Sequence, residues 1–180
     1  MTVKKLVIAG LLALVLGCGV SVERYAKGGE RTWIVVYTDQ LRRPATHLSS
    51  EFFRVIQTPQ AETLFKFVFA TPEEFQKNWM GYKNVIILAT PSSKSFDLFL
   101  RVFPEARTGL SEKRGGFVKD DYVIGIMAGD EEALYGSLTR LKPKIDSLLW
   151  ARTDYLYHRL EMYPGVNKGF SRDIEKEYGI

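Results

Sequence analysis

Cysteine and histidine are scarce in this sequence, which has one cysteine, Cys18, and two histidines, His47 and His158, among 180 residues. A single cysteine excludes a disulfide within one chain and excludes zinc sites built from several cysteines. Neither histidine has a second ligand at the spacing that zinc sites use on helices or strands. We therefore predict no metal, no cofactor and no catalytic residue.

The sequence also lacks a dense stripe of lysine and arginine with interleaved aromatic residues. Its formal net charge is +4, and the charge falls to +2 if Lys4 and Lys5 are removed with a signal peptide. A nucleic-acid-binding surface needs a concentrated basic patch. We predict that nucleic acid is not a partner.

The apolar stretch at the start of the chain, from Leu6 to Gly17, is too short to span a membrane. As a helix it covers about 18 Å, whereas the hydrocarbon core of a bilayer is about 30 Å thick. Lys4 and Lys5 precede the stretch and Cys18 follows it. This layout is typical of a secretory signal whose cleavage site carries a cysteine.

The residues Val15-Leu16-Gly17-Cys18 resemble the lipobox of bacterial lipoproteins, although that family prefers leucine where Val15 stands and a small residue where Leu16 stands. The resemblance implies that residues 1–17 are a signal peptide and that Cys18 is the site of lipid attachment. Residues 18–31 are then the lipidated cysteine and a flexible tether. We expect a membrane-anchored protein of the bacterial cell envelope that faces the periplasm, with the outer membrane favoured. An uncleaved anchor and an ordinary signal peptide with a free thiol are the alternatives.

The remainder of the chain, residues 32–180, is predicted to be a single globular domain, because 46% hydrophobic and 13% aromatic residues supply a core for that length. Hydrophobic periodicity predicts strands over 32–38, 63–69, 83–90 and 122–127 and helices over 46–56, 71–79, 92–103, 130–163 and 170–178. Without the short helix 71–79, the order is βαββαβ. We predict an α+β fold with a ferredoxin-like sheet, an extra short helix and long C-terminal helices. A doubly wound α/β sheet is the alternative.

Several local signals refine this prediction. Thr71-Pro72-Glu73-Glu74 is typical of a capping box with proline in the first turn. Ser92 or Ser93 is expected to cap the following helix. Pro143 is expected to kink or split the long helix, because it removes a backbone hydrogen bond. Residues 107–119 are predicted to be a polar loop.

Four segments together resemble an uncharacterised bacterial lipoprotein family, known only as a domain of unknown function. They are Thr58-Pro59-Gln60-Ala61-Glu62, Tyr82-Lys83-Asn84, Asp120-Asp121-Tyr122 and the terminal Ile174-Glu175-Lys176-Glu177-Tyr178-Gly179-Ile180. The resemblance covers most of the mature chain, and it implies either a truncated form that corresponds to the N-terminal part of that family or a short member of it. It implies a lipoprotein and brings no catalytic residue.

Two groups of side chains are candidates for binding. Trp150, Arg152, Tyr155, Tyr157 and Arg159 form an aromatic and basic patch on the long helix. Interfaces are enriched in these residue types, although packing against the sheet is the other interpretation. Phe65, Phe67 and Phe69 lie on one face of a strand, where they form either core or an apolar pocket; we predict that Phe67 lies in the core.

These features predict a lipid-anchored periplasmic binding or adaptor lipoprotein that acts through a protein partner or self-association, without catalysis. The alternative is an envelope-associated hydrolase with a site near the 107–119 loop. The predicted strands are apolar on both faces, whereas a ferredoxin-like sheet carries helices on one face only. We therefore expect the second face to be covered by the long C-terminal helices, by a second copy or by a partner.

Overall fold

The computed structural model describes residues 25–52, 55–57 and 61–161. The strands are β1 (Thr32–Val36), β2 (Val55–Gln57), β3 (Ala61–Thr63), β4 (Lys66–Ala70), β5 (Asn84–Ala89), β6 (Gly109–Arg114) and β7 (Tyr122–Met127). The helices are α1 (Arg42–Phe52), α2 (Pro72–Glu74, continued by a π-helical turn Phe75–Trp79), α3 (Ser95–Val102) and α4 (Glu131–Glu161). A 3₁₀ turn, Asp39–Leu41, leads into α1.

Five of the strands form one sheet in the order β4-β1-β5-β7-β6. Strands β4, β1, β5 and β7 are parallel, and β6 pairs antiparallel with β7 at one edge. Strands β2 and β3 form a separate antiparallel hairpin. The fold is therefore of mixed α and β structure, as predicted, but the ferredoxin-like arrangement is not confirmed, because its sheet would be antiparallel.

The short helix that we left out of the βαββαβ pattern explains why the sheet is mainly parallel. Helix α2 follows β4 directly, and β5 comes next along the chain. When α2 is retained, strands and helices alternate, and this pattern is typical of a parallel sheet with helical crossovers. The alternation was visible in the sequence as Thr71-Pro72-Glu73-Glu74, whose capping box is confirmed.

Helices cover both faces of the sheet. All six residues of β5 and all six of β7 are buried, as expected for central strands with helices on either side. On one face the 3₁₀ turn, α1 and α4 contribute Leu41, Ala45, Leu48, Phe52, Leu134, Leu138, Ile145 and Leu149. On the other face α2 and α3 contribute Phe75, Leu98, Phe99 and Val102. The second face is therefore covered by helices of the chain itself, and no second copy is needed there.

Several predicted boundaries shift. Helix α1 begins at Arg42, before the predicted start at Thr46, and Ile56 lies in β2. Residues Gly109–Arg114 of the predicted loop are strand β6. Helix α3 has no side-chain cap.

The long helix α4 is continuous through Pro143. Among the described residues no helix is long and apolar enough to cross a membrane. The predicted helix 170–178 lies outside them.

The segment before β1 packs against the amino ends of the parallel strands. Ala26 N–H donates to the Lys119 carbonyl (2.9 Å) and Lys83 N–H donates to the Lys27 carbonyl (2.8 Å). Gly28 has φ +100°, and a Cβ there would lie 2.5 Å from the Tyr82 ring. Thus the part of the predicted tether from residue 25 onward lies against the domain.

Candidate functional site

Strand β4 forms one edge of the sheet, and a groove of about 570 Å³ lies beside it. The groove is lined by Ser49, Ser50, Thr63, Phe65, Lys66, Phe67 and Phe69. We call this surface the β4 edge groove. The serines come from α1, Thr63 comes from the end of β3, and β4 supplies the remainder apart from Phe65, which precedes it. Sequence analysis singled out the phenylalanines but not the residues around them.

The outer edge of β4 has unused backbone groups among the strands that the structure describes, where β4 pairs with β1 alone. Lys66 N–H donates to the Arg31 carbonyl (2.9 Å), and the Ala70 carbonyl accepts from Tyr37 N–H (3.1 Å). Backbone groups of successive residues in a strand point to opposite sides. Phe67 and Phe69 therefore direct their N–H and C=O groups away from β1, toward the free edge.

The aromatic side chains of this edge are only partly covered. Phe67 is half-buried, and Phe69 is 40% exposed with its ring edge-on to Tyr37, at 5.8 Å between centroids. Phe65 is buried and lies edge-on to Trp150 at 5.7 Å, and Trp150 is 42% exposed. Phe67 packs against the core without being enclosed by it, because β4 has no neighbouring strand on its outer side.

Arg152, predicted as a contact residue, lies inside the domain and is only 3% exposed. Its Nε donates to Asn84 Oδ1 (3.0 Å) and an Nη donates to the Asp120 carbonyl (2.6 Å). The guanidinium also lies over the rings of Tyr122 and Tyr155, at 5.6 and 5.4 Å. Burial lowers the pKa of Arg152, yet an arginine stays charged. Because Arg152 is buried and these donors bond within the domain, it is not presented to a partner.

The other residues of the predicted patch differ in position. Tyr155 is half-buried, and Arg114 lies over its ring at 4.5 Å. Among the patch residues whose side chains the structure describes, Trp150 is the exposed one. The side chains of Tyr157 and Arg159 lie outside the described part of the structure, as does Cys18. The contact role remains a prediction for Trp150 and Tyr155.

A cavity of about 330 Å³ adjoins Arg152 and includes Tyr122 and Glu112. The Tyr122 hydroxyl donates to Glu112 Oε2. Burial, followed by this hydrogen bond, raises the pKa of Tyr122 well above its ordinary value. A tyrosine hydroxyl with a raised pKa stays protonated at neutral pH.

The segment from 107 to 119, where the alternative hydrolase site was expected, has a structural explanation. Asp121 is fully buried, and its carboxylate accepts from the N–H groups of Gly116, Phe117 and Val118, at 2.7 to 2.9 Å. These bonds close the loop between β6 and β7. The described residues contain no group of three or more His, Cys, Asp or Glu side chains that could hold a metal.

His47 lies on α1 and joins it to α4. Its ring stacks on Tyr135 with centroids 4.3 Å apart, and its Nε2 is 3.2 Å from Thr139 Oγ1. This contact accounts for His47 as an interhelix residue. The side chain of His158 lies outside the described residues.

Comparison of the chain with protein-family models, with curated proteins and with solved structures gives no match. The resemblances to the lipobox and to an uncharacterised lipoprotein family therefore stay predictions from the sequence.

Proposed function

We propose that this protein is a lipid-anchored adaptor of the bacterial cell envelope, facing the periplasm, which binds an extended segment of a protein partner along β4. The lipid on Cys18 holds the domain at the membrane, with the outer membrane favoured. The observation that carries the proposal is the combination at β4 of outward backbone groups with partly exposed Phe67 and Phe69 side chains.

The chemistry of the β4 edge favours a partner that binds as an added strand over a partner that binds with a rigid folded surface. Edge strands with unpaired N–H and C=O groups are templates for pairing with another chain, and peptide recognition often uses this geometry. Main-chain hydrogen bonds give affinity, and a side pocket for alternate side chains gives specificity. The β4 edge groove provides that pocket, with aromatic walls and the hydroxyls of Ser49 and Ser50 at its border.

The edge carries little that would prevent such pairing. Natural edge strands are often protected by proline, by bulges or by inward-pointing charges. Strand β4 has the sequence Lys-Phe-Val-Phe-Ala, with one charged residue at its start. The edge at β6 is different, because its sequence Gly-Leu-Ser-Glu-Lys-Arg ends in three charged residues. Pairing is therefore expected at β4 and not at β6.

A photocrosslinking amino acid at position 69 tests the proposal in intact envelopes of the native bacterium. The control carries the same probe at position 25, because Tyr25 is another exposed aromatic residue, 58% exposed, on a different part of the surface. We expect a discrete adduct with another protein from position 69 and not from position 25. An adduct with the mass of two copies of this chain would mean that β4 binds a second copy of the chain and not a different protein. Equal labelling at both positions would refute a β4 site.

A further inference from the structure

The order of the parallel strands creates a second place where ligands bind. From β1 the chain crosses to β4 on one side, and from β4 it returns past β1 to β5 on the other side. In open α/β sheets, ligands bind in the crevice outside the carboxyl ends of the strands where the crossover direction changes. Here that point lies between the ends of β1 and β5, at Val36 and Ala89.

The structure has a crevice of about 330 Å³ at this point. Three chain segments line it: the residues after β1, the start of α2 and the loop after β5. The lining includes six residues with polar side chains: Thr38, Asp39, Gln40, Glu73, Ser92 and Lys94. A volume of this size is at the lower end of the range for small-molecule sites, which is about 300 to 1,000 Å³.

One wall of the crevice contains a polar group without a partner. Thr38 is only 8% exposed, and its hydroxyl is buried and has no hydrogen-bond partner in the described part of the chain. Most buried hydroxyls in folded proteins have a partner, because an unsatisfied polar group destabilises the fold. A hydroxyl of this kind beside a crevice is explained if a ligand supplies the missing partner.

The other walls are held in place by hydrogen bonds of their own. Ser93 Oγ accepts from Thr90 N–H (2.9 Å), and Ser95 Oγ donates to the Leu88 carbonyl (2.6 Å). Thr71 and Glu74 close the capping box at the start of α2, at 2.9 and 3.2 Å. Ser92, Lys94 and Glu73 therefore project from fixed backbone.

The charges of the crevice disfavour an anion. Asp39, Glu73 and Asp97 lie in the first turns of the three helical segments that begin at this edge. These carboxylates already oppose the positive end of each helix. The ammonium of Lys94 is 3.8 Å from Glu73 Oε1, so its charge is partly compensated as well. A phosphate group, often found at such positions, would meet uncompensated negative charge at Asp39.

The hydrogen-bonding groups fit a ligand that both donates and accepts. Asp39 and Glu73 are acceptors, Lys94 is a donor, and Gln40, Ser92 and Thr38 are both. A cation offers donors alone, and a phosphate offers mainly acceptors. Neighbouring hydroxyls on one molecule offer donors and acceptors side by side.

From this arrangement we infer that the crevice at the ends of β1 and β5 binds a small, uncharged, polyhydroxylated ligand, that is, a sugar. Asp39 accepts hydrogen bonds from its hydroxyls, while Lys94 and Gln40 donate to their oxygens. In this assignment the ligand supplies the missing hydrogen-bond partner of the Thr38 hydroxyl. The inference is independent of the proposed partner site, because none of these residues lines the β4 edge groove.

Calorimetric titration of the full acylated chain, in micelles of a detergent without a sugar headgroup, tests the inference. The probes are glucose, galactose, N-acetylglucosamine and lactose, with inorganic phosphate and spermidine as the anionic and cationic comparisons. We expect at least one sugar to bind and neither comparison to bind. Failure of every sugar, or tighter binding of phosphate or spermidine, would overturn the inference.

Substitutions then locate the bound sugar. Asp39→Asn should weaken sugar binding by about tenfold or more, because it removes the charged acceptor of the ligand hydroxyls. A factor of ten corresponds to about 1.4 kcal/mol. Asp97→Asn is the matched control, because Asp97 lies in the first turn of α3 without lining the crevice. Its effect should stay within about twofold. Equal effects of the two substitutions would place the sugar elsewhere and overturn the assignment.

Thr38→Val distinguishes a ligand-binding hydroxyl from a purely structural one. The substitution removes the unpartnered hydroxyl, so the melting temperature should stay unchanged or rise. Sugar affinity should nevertheless fall severalfold. Unchanged affinity would show that Thr38 takes no part in binding.

Discussion

Arg152 shows how a single buried side chain organises the amino ends of the strands. Its guanidinium bonds Asn84 at the start of β5 and the carbonyl of Asp120 just before β7. Asn84 Nδ2 in turn donates to the Glu30 carbonyl (2.8 Å), which joins the segment before β1. Helix α4, two strands and the N-terminal segment are thus linked through one network.

Arg152→Lys should destabilise the domain by about 2 to 4 kcal/mol, because hydrogen bonds to a charged group contribute about 1.5 to 3 kcal/mol and lysine lacks the planar fork. Arg140→Lys, on the exposed side of the same helix, should change stability by less than about 0.5 kcal/mol. Urea unfolding of both variants measures the difference. Equal stabilities would mean that the network contributes little.

The helical period of α4 contained the evidence that Arg152 is buried. Ile145, Leu149, Arg152 and Leu156 follow one another at helical spacing, and all are buried. Composition alone predicted a surface patch, because tryptophan, tyrosine and arginine are common at interfaces. The identity of the acceptors was not predictable, because Asn84 and Asp120 are distant in sequence.

Glu30 makes a pH-dependent contribution to the same region. Its Oε1 accepts from Lys83 Nζ at 2.8 Å, and this hydrogen bond lowers the pKa of Glu30. A carboxyl with a lowered folded-state pKa stabilises the fold above its unfolded pKa, about 4.3 for glutamate. That stabilisation is lost as the pH falls through the folded-state pKa.

The stability difference between wild type and Glu30→Gln should therefore be constant near neutral pH and shrink below about pH 4.3. Urea unfolding at a series of pH values measures it. A difference that grows on acidification would contradict the assigned direction of the pKa.

At the scale of elements, close packing between β7 and α3 depends on one glycine. A Cβ on Gly125 would lie 2.5 Å from Phe103 Cε2 and 2.6 Å from Phe99 Cε2. Both rings are buried between the strand and the helix. No larger residue fits there unless the rings move.

Gly125→Ala should cost about 1 to 3 kcal/mol, as expected for an overpacked core. Gly136→Ala is the control: a Cβ there meets nothing within 4 Å, and alanine favours a helix by about 0.5 to 1 kcal/mol over glycine. The two melting temperatures should move in opposite directions. A Gly125→Ala variant as stable as wild type would show that the rings adjust freely.

The sequence predicted some elements better than others. The apolar runs of β1, β5 and β7 and the capping box of α2 were clear, because burial and capping leave local patterns. Strand β6 was not recognised, since its exposed Glu-Lys-Arg segment is strand only through pairing with β7. Hairpin β2–β3 was missed because each of its strands has only three residues, too few to show an alternating pattern.

At the scale of the whole molecule, the carboxyl-end crevice could not be found from the sequence. Thr38, Glu73 and Lys94 come from three separate segments, and only the strand order brings these segments together. The β4 edge groove was half predictable, because the alternation of phenylalanines placed them on one face. Their exposure depends on β4 lying at the edge of the sheet, and the residue pattern of one strand does not show its place in the sheet.

The membrane attachment that we propose is a property of the whole molecule that depends on one residue, Cys18. Cys18→Ala should leave an unprocessed precursor, because signal removal before a lipobox cysteine requires its acylation. Labelled palmitate should then be absent from the protein. Acylation that persists in this variant would exclude Cys18 as the anchor.

In the proposed complex the partner pairs with β4 through the backbone as well as through the β4 edge groove. With the photocrosslinker at position 69, Phe67 is replaced either by alanine or by proline. Both variants lose the same ring, but only proline loses the outward N–H, and edge positions tolerate proline.

Adduct yield at subsaturating partner is the decisive measurement. If a partner strand pairs with β4, Phe67→Pro should give about two- to tenfold less adduct than Phe67→Ala, because one hydrogen bond contributes about 0.5 to 1.5 kcal/mol. Circular dichroism melts check that the two variants are equally folded. Equal yields from equally folded variants would contradict strand addition at β4.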